Sequence, residues 1–218
     1  MLTSPRARSL ARIRDCKLIP ILRLPSDEEV LAMSEALLDG GLPVIELSLT
    51  MPNTVALIAT LVARYGDRAS IGAGTVLTTE QVDTVAAVGA DFMVSPATDP
   101  LVLAHARGKG LATFPGALTP TEVITAWNAG ADAVKVFPCH SVGGADYLRA
   151  LKAPLPHIEL VPTGGINRAN ALDHLAAGAM ALGMGNDLVD LAALRAKGKT
   201  AIEKRAREYL QLVSGIGQ

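Results

Sequence analysis

Lys135 stands in the middle of an apolar run, Ala131-Asp132-Ala133-Val134-Lys135-Val136-Phe137-Pro138. Preceded by Gly130 and stopped by Pro138, the run reads as a short buried strand. Strands inside a parallel sheet are normally close to continuously apolar. An ammonium placed there is desolvated and tends to lose its proton. A neutral lysine amine is a nucleophile that can form a Schiff base with a carbonyl compound. The plainer alternative is a lysine at a strand end that snorkels to solvent.

Glu46 raises the same question in Val44-Ile45-Glu46-Leu47. A carboxylate in an apolar strand has a raised pKa or a cationic partner. Even as a buried ion pair with Arg23 or Lys135 it would bring an acid and a lysine together, so the two form a candidate acid/base site. Arg23 ends an apolar stretch, where a guanidinium suits a carboxylate or phosphate; otherwise it is a surface arginine. Thr163-Gly164-Gly165-Ile166-Asn167 and Gly183-Met184-Gly185-Asn186 let backbone N–H groups approach an anion, or simply make tight turns. Cys139 and His140 are adjacent but have no metal-ligand spacing, and His105, His157 and His174 fall in helices or connections, so no metal is expected. Trp127 lies in a helical pattern and reads as packing.

Eight apolar stretches must position these groups: 18–23, 43–49, 69–75, 92–96, 111–115, the Lys135 run 131–138, 158–162 and 180–185. A helical pattern follows each. Ser26-Asp27-Glu28-Glu29 opens a helix running through Leu38 and closed by Gly40-Gly41. Asn53 caps one through Arg64, Thr78-Thr79-Glu80-Gln81 opens one that ends at Gly89, and another spans 99–107. Thr119-Pro120-Thr121-Glu122 is a capping box with proline at the first helical position. Helices follow at 145–151 and 170–177, then a short turn and a long charged helix through Val213.

Strict strand–helix alternation predicts an all-parallel sheet, and eight units close a (β/α)8 TIM barrel. An open doubly wound sheet is the alternative, but no G-x-G-x-x-G follows the first strand; Gly72-Ala73-Gly74 comes later and lacks the third glycine. In the barrel the active site lies at the C-terminal strand ends, with phosphate at the loops after strands seven and eight. Arg23, Glu46, Thr75, Ser95 with Pro96, Thr113, Lys135, Thr163 and the Gly185-Asn186 turn all fall at such ends.

The chain of 218 residues is expected to form one domain spanning residues 1–218, without linkers or sequence repeats. It is 50% hydrophobic and only 3% aromatic, so Ala, Val, Leu and Ile must fill the core. A net charge of -1 without a basic stripe argues against nucleic acid. No apolar run reaches the length of a membrane span. The two cysteines make no disulfide framework, so a cytoplasmic setting is expected. The Arg-rich start, from Ser4 to Arg14, is read as an N-terminal helix capping one end of the barrel rather than a transit peptide.

Ile45-Glu46-Leu47-Ser48-Leu49-Thr50, Gly72-Ala73-Gly74-Thr75-Val76-Leu77, Val94-Ser95-Pro96, Lys135-Val136-Phe137-Pro138 and Pro162-Thr163-Gly164-Gly165-Ile166 occur in one order across about the whole chain. Together they resemble the 2-keto-3-deoxy-6-phosphogluconate (KDPG) and 4-hydroxy-2-oxoglutarate (KHG) aldolases, a family that includes a 2-keto-3-deoxy-6-phosphogalactonate branch. The resemblance implies a metal-free, cofactor-free class I aldolase on a (β/α)8 barrel, usually a homotrimer. Its substrate would be a phosphorylated 2-keto-3-deoxy sugar acid and its products pyruvate and glyceraldehyde 3-phosphate. Lys135 matches the Schiff-base lysine and Glu46 the general acid/base. Thr75 matches a residue near the substrate carboxylate; Thr163, Gly164, Gly165, Gly185 and Asn186 match the phosphate loops; Pro96 and Phe137 match the pocket wall.

Members of the gluconate type often carry an arginine where Leu49 stands, whereas others have one closing the first strand, as Arg23 does; Arg23 is therefore expected to take the carboxylate. Gly185-Asn186-Asp187-Leu188 is similar to the galactonate branch and Pro162-Thr163-Gly164-Gly165-Ile166 to the gluconate branch. The expectation is cleavage of the gluconate phosphate, with the galactonate phosphate as alternative. A phosphosugar isomerase or epimerase, or a non-catalytic phosphometabolite-binding barrel, would use the same phosphate loops without a Schiff base.

Overall fold

A computed structural model describes residues 4–215, so the expected domain's ends, residues 1–3 and 216–218, lie outside the described residues. Helices and strands alternate. After α1 (Pro5–Cys16) come β1 (Leu18–Leu22), α2 (Asp27–Asp39), β2 (Val44–Ser48), α3 (Thr54–Tyr65), β3 (Ser70–Gly74), α4 (Thr79–Ala87), β4 (Phe92–Val94) and α5 (Pro100–Gly108). The second half holds β5 (Ala112–Phe114), β6 (Gly116–Ala117), α6 (Pro120–Asn128), β7 (Val134–Val136), α7 (Ala145–Lys152), β8 (Leu160–Pro162), α8 (Ala171–Ala176), β9 (Leu182–Met184), α9 (Leu191–Lys197) and α10 (Lys199–Ser214).

The strands form a curled six-stranded parallel sheet in the order β5-β4-β3-β2-β1-β9 and a three-stranded parallel sheet in the order β6-β7-β8. This differs from the single sheet of eight strands that the alternation predicts. The break lies at Pro115, which has no N–H for the ladder: the expected fifth strand, 111–115, is β5 alone, and β6 follows beyond the bounds read from the sequence. Hydrogen bonds still cross both seams. Asp132 N–H donates to Thr113 O at 3.0 Å and Lys135 N–H to Pro115 O at 2.9 Å, while isolated parallel bridges join Leu160 to Ala179 and Thr163 to Gly183.

Local chemistry explains most element ends. Ser26, Thr78 and Thr119 accept backbone N–H bonds from Glu29, Gln81 and Glu122, and Glu122 returns the bond to complete the expected capping box. Asn53 stands at the start of α3 but makes no side-chain cap; its left-handed φ of 58° turns the amide away, to donate to Asp27 at 3.0 Å. The terminal helix expected to run through Val213 is two helices, because Gly198 takes a φ of 72° between them.

The core divides into an outer and an inner part. Outward-facing strand residues such as Ile45, Leu47, Ile71 and Ala73 pack with helix residues such as Met33, Leu37, Ile58 and Leu61. A smaller cluster joins Ile13 of α1 and Cys16 to Ile19, Val44, Phe92, Ala112 and Ala181. Phe92 and Phe114 meet edge to face at 5.9 Å between centroids. Gly72 is required here, since a Cβ on it would lie 2.4 Å from the Phe92 ring.

Candidate active site

The inner faces of the strands carry the polar groups. Glu46 and Ser48 are two residues apart on β2 and so project to one face of the sheet. Glu46 lies opposite Gly72 and Ser48 opposite Gly74 in the parallel register with β3. Lys135, at the centre of β7, lies opposite Gly116 of β6 and Val161 of β8. Each polar side chain therefore has at least one glycine as its register partner, but the space that Glu46 fills is left by Gly74, the partner of Ser48, and not by its own partner Gly72.

Gly74 matters most. A Cβ there would lie 2.1 Å from Glu46 Oε1, so a methyl group and the present carboxylate position exclude each other. Gly74→Ala is expected to lower kcat by roughly 10²-fold through displacement of the carboxylate, an effect of the size produced by misplacing a reacting group by about 1 Å. Steady-state turnover together with a circular-dichroism spectrum checks this: full activity in a folded Gly74→Ala protein would mean that the position of Glu46 is immaterial.

Glu46 is 3% exposed and Lys135 8% exposed, so both ionisable groups are buried. Among the described residues their side chains form no ion pair or hydrogen bond with each other, yet each bears on the other's charge. Burial pushes the Glu46 carboxyl up, against the opposing pull of Lys135 and then Arg23. Burial pushes the Lys135 amine down; Glu46 opposes this and Arg23 adds to it. The three residues singled out from the sequence thus converge, although Arg23 itself is exposed. The Lys135 Nζ also lies 5.0 Å from the centroid of the Phe137 ring, which is 38% exposed and forms an open wall beside the amine. Pro96 and Phe137 line one concavity with Gly116, the register partner of Lys135. No room for a Cβ exists at Gly116, where it would meet the Pro96 carbonyl at 2.2 Å.

Thr75 follows β3 with a φ of 62°, a left-handed conformation that a β-branched residue adopts only at a cost. Its hydroxyl shares a 3.1 Å hydrogen bond with the Ser48 hydroxyl, which also bonds Thr50 Oγ1 at 2.9 Å. The strained turn is therefore held by a hydroxyl chain rooted on the strand that carries Glu46. Ser48 was not among the residues that sequence reasoning selected; the period-two spacing from Glu46 was the signal that could have found it.

The two glycine loops lie side by side. Thr163 is buried, and its side chain occupies the space beside Gly183, where a Cβ would come within 2.2 Å of Oγ1. Gly164 and Gly165 take φ values of 91° and 76°, and a Cβ on Gly165 would strike the His140 side chain at 2.3 Å. Cys139 N–H donates to Thr163 O at 2.9 Å and His140 N–H to Gly164 O at 3.2 Å, so the loop after the Lys135 strand is stitched to the first glycine loop. Gly185 is open, and Asn186 is exposed beside it. Cys139 itself is buried with its thiol pushed up to about 11, and it is no nucleophile at neutral pH. Among the described residues no group of three His, Cys, Asp or Glu side chains is placed to hold a metal ion, and no helix is long and apolar enough to cross a membrane.

Comparison with known proteins points in one direction. The family model described as KDPG and KHG aldolase matches residues 10–205. The chain is 42% identical to the 2-dehydro-3-deoxy-6-phosphogalactonate aldolase of Escherichia coli K12, covering 78% of this chain and 83% of that protein. It is 32% identical to the 2-dehydro-3-deoxy-phosphogluconate aldolase of Treponema pallidum, covering 94% of this chain and 96% of that one. Among solved structures, a KDPG aldolase from Legionella pneumophila holds pyruvate as a covalent carbinolamine intermediate. It superposes with a TM-score of 0.85 at 28% identity, covering 96% of this chain and 99% of that one.

Proposed function

The chain belongs to the KDPG and KHG aldolase family, and from that premise we propose that it is a class I aldolase with Lys135 as its Schiff-base residue. It cleaves 2-keto-3-deoxy-6-phosphogluconate reversibly to pyruvate and glyceraldehyde 3-phosphate. The observation that carries the reading is the burial of Lys135, with its amine held below the usual lysine range and Glu46 buried close enough to oppose that shift.

The neutral Lys135 amine attacks the C2 ketone to form a carbinolamine. Glu46 supplies the proton with which the carbinolamine hydroxyl leaves as water, and the resulting iminium is the electron sink. Glu46, now a carboxylate, takes the proton from the C4 hydroxyl. The C3–C4 bond breaks, its electron pair moves into the enamine, and glyceraldehyde 3-phosphate departs. Protonation of the enamine at C3 and hydrolysis of the imine release pyruvate and the free amine. Arg23 and Thr75 hold the substrate carboxylate. Thr163, Gly164, Gly165, Gly185 and Asn186 hold the phosphate, while Pro96 and Phe137 wall the pocket between.

The same reading takes the two sheets, with their bridged seams, as one eight-stranded barrel in which β5 and β6 are a single interrupted strand. α1 caps its N-terminal end, which the burial of Ile13 in the inner cluster supports. One domain, a homotrimeric assembly and a cytoplasmic setting complete it, the last supported by two buried free cysteines.

A second reading concerns the sugar. The 42% identity to a galactonate-phosphate aldolase exceeds the 32% to a gluconate-phosphate one, which favours the C4 epimer as substrate. Steady-state rates on the two phosphates side by side decide between them. Borohydride added with pyruvate tests the mechanism: a mass increase on the peptide carrying Lys135 is expected, and an unmodified Lys135 would end the Schiff-base reading.

The charge environment also predicts a pH profile. Imine formation requires the free amine, so its rate should rise with pH and level off below the ordinary lysine value of 10.5. Arg23→Ala removes the cation that helps depress Lys135 and should move the rise to higher pH. Single-turnover trapping across pH checks both; a rise centred on the ordinary lysine value would contradict them.

A further inference from the structure

The Gly185-Asn186 turn closes on itself, with Leu188 and Val189 N–H donating to Gly185 O at 3.0 and 2.9 Å. It is also tied outward by the next side chain. Asp187 Oδ2 accepts the backbone N–H of Arg168 at 2.8 Å, three residues beyond Gly165 in the other glycine loop. The same oxygen accepts the hydroxyl of Tyr209, which comes from α10. Tyr209 is 1% exposed, so its ring is fixed by packing and cannot follow a moving loop. Arg205, one turn earlier on α10, donates to Asp187 O at 2.6 Å and pairs with Asp190 at 2.7 Å. Asp190 in turn caps α9. One carboxylate oxygen therefore joins both glycine loops to a helix that carries none of the residues given roles above.

We propose that Asp187, held by Tyr209, is a positioning residue that sets the separation of the two anion-binding loops and thereby the preference for a phosphorylated substrate. The proposal rests on the aldolase reading, in which those loops take the phosphate. A phosphate bridging two loops needs N–H groups from both within hydrogen-bond reach at once, and hydrogen bonds weaken steeply with misalignment. Asp187 is not among the residues that take the substrate in the aldolase reading, and its contacts described above are with Arg168, Tyr209 and Arg205. Its loss loosens the phosphate end and leaves the imine chemistry at C2 as it was.

The test compares wild type, Asp187→Ala, Asp187→Asn and Tyr209→Phe on the phosphorylated 2-keto-3-deoxy acid and on its unphosphorylated counterpart, together with pyruvate trapping by borohydride. Asp187→Ala should raise KM for the phosphorylated substrate about tenfold, as expected for lost hydrogen bonds, with kcat unchanged within about twofold. Pyruvate trapping and kcat/KM on the unphosphorylated acid should stay at wild-type values. Asp187→Asn keeps a carbonyl oxygen as acceptor and Tyr209→Phe loses a single hydroxyl, so both should fall between. Equal losses on both substrates, or an unchanged KM, would overturn the proposal. Wild-type protein that traps no pyruvate would overturn the aldolase reading instead. If Asp187→Ala does not fold, Tyr209→Phe carries the same comparison.

Discussion

Lys135→Met is expected to abolish both turnover and borohydride trapping while leaving a protein at least as stable as wild type. Removing a nucleophile that works as part of a catalytic unit costs roughly 10⁴-fold or more in kcat. The stability effect follows from linkage. Burial lowers the folded-state pKa of Lys135 below the value of 10.5 that an ordinary lysine has. The unfolded chain therefore binds the proton more tightly, and wild-type stability rises with pH across the window between the folded and unfolded values. Below that window the full cost of the buried ammonium is present, and methionine, of similar length, removes it. Glu46 then loses a cation that favours its ionised form and remains protonated to higher pH. Thermal melts at neutral pH and pyruvate trapping check the two halves separately. Substantial residual turnover would remove Lys135 from the mechanism, and a large drop in Tm would mean that the amine stabilises the fold.

Glu46→Gln separates proton transfer from imine formation. A glutamine is close in size and fits the space beside Gly74, but it cannot exchange the proton that dehydration and C–C cleavage need. General acid/base catalysis contributes about 10²–10⁴-fold, so kcat should fall by that factor while pyruvate can still be trapped slowly on Lys135. The pH dependence should move as well. Glu46 favours the protonated amine, so its loss lowers the Lys135 pKa further and shifts the rise of the trapping rate to lower pH. The stability sign is opposite to that of Lys135. Burial raises the folded-state pKa of Glu46, so wild type loses stability as pH rises from the ordinary carboxylate value of 4.5 through the folded value, and Glu46→Gln should not. A rate loss without a shift of the trapping profile would place Glu46 away from the amine.

Much of the fold was legible because its signals are local. Apolar runs, glycine stops and the caps at Ser26, Thr78 and Thr119 depend on neighbours within one turn, and each appears where the pattern puts it. The failures share a cause. Asn53 has a capping residue type, but its side chain was drawn to Asp27, a contact that spans 26 positions in sequence. The division at Pro115 depends on which strands its carbonyl and missing N–H face. Neither is visible without the third dimension.

The site divides in the same way. An acid and a lysine in apolar strands are anomalous by type alone, since apolar surroundings oppose charge wherever the strands finally lie. Sequence was therefore enough to single out Glu46 and Lys135 and, through ordered motifs, the family. Where they lie relative to one another was not in the sequence. The room that Gly74 leaves for Glu46, the hydroxyl chain from Ser48 to Thr75 and the Asp187–Tyr209 contact across 22 positions come from parallel register and helix docking. Register is set by the packing of whole strands and helices, so residues distant in sequence become neighbours only when the sheet has formed.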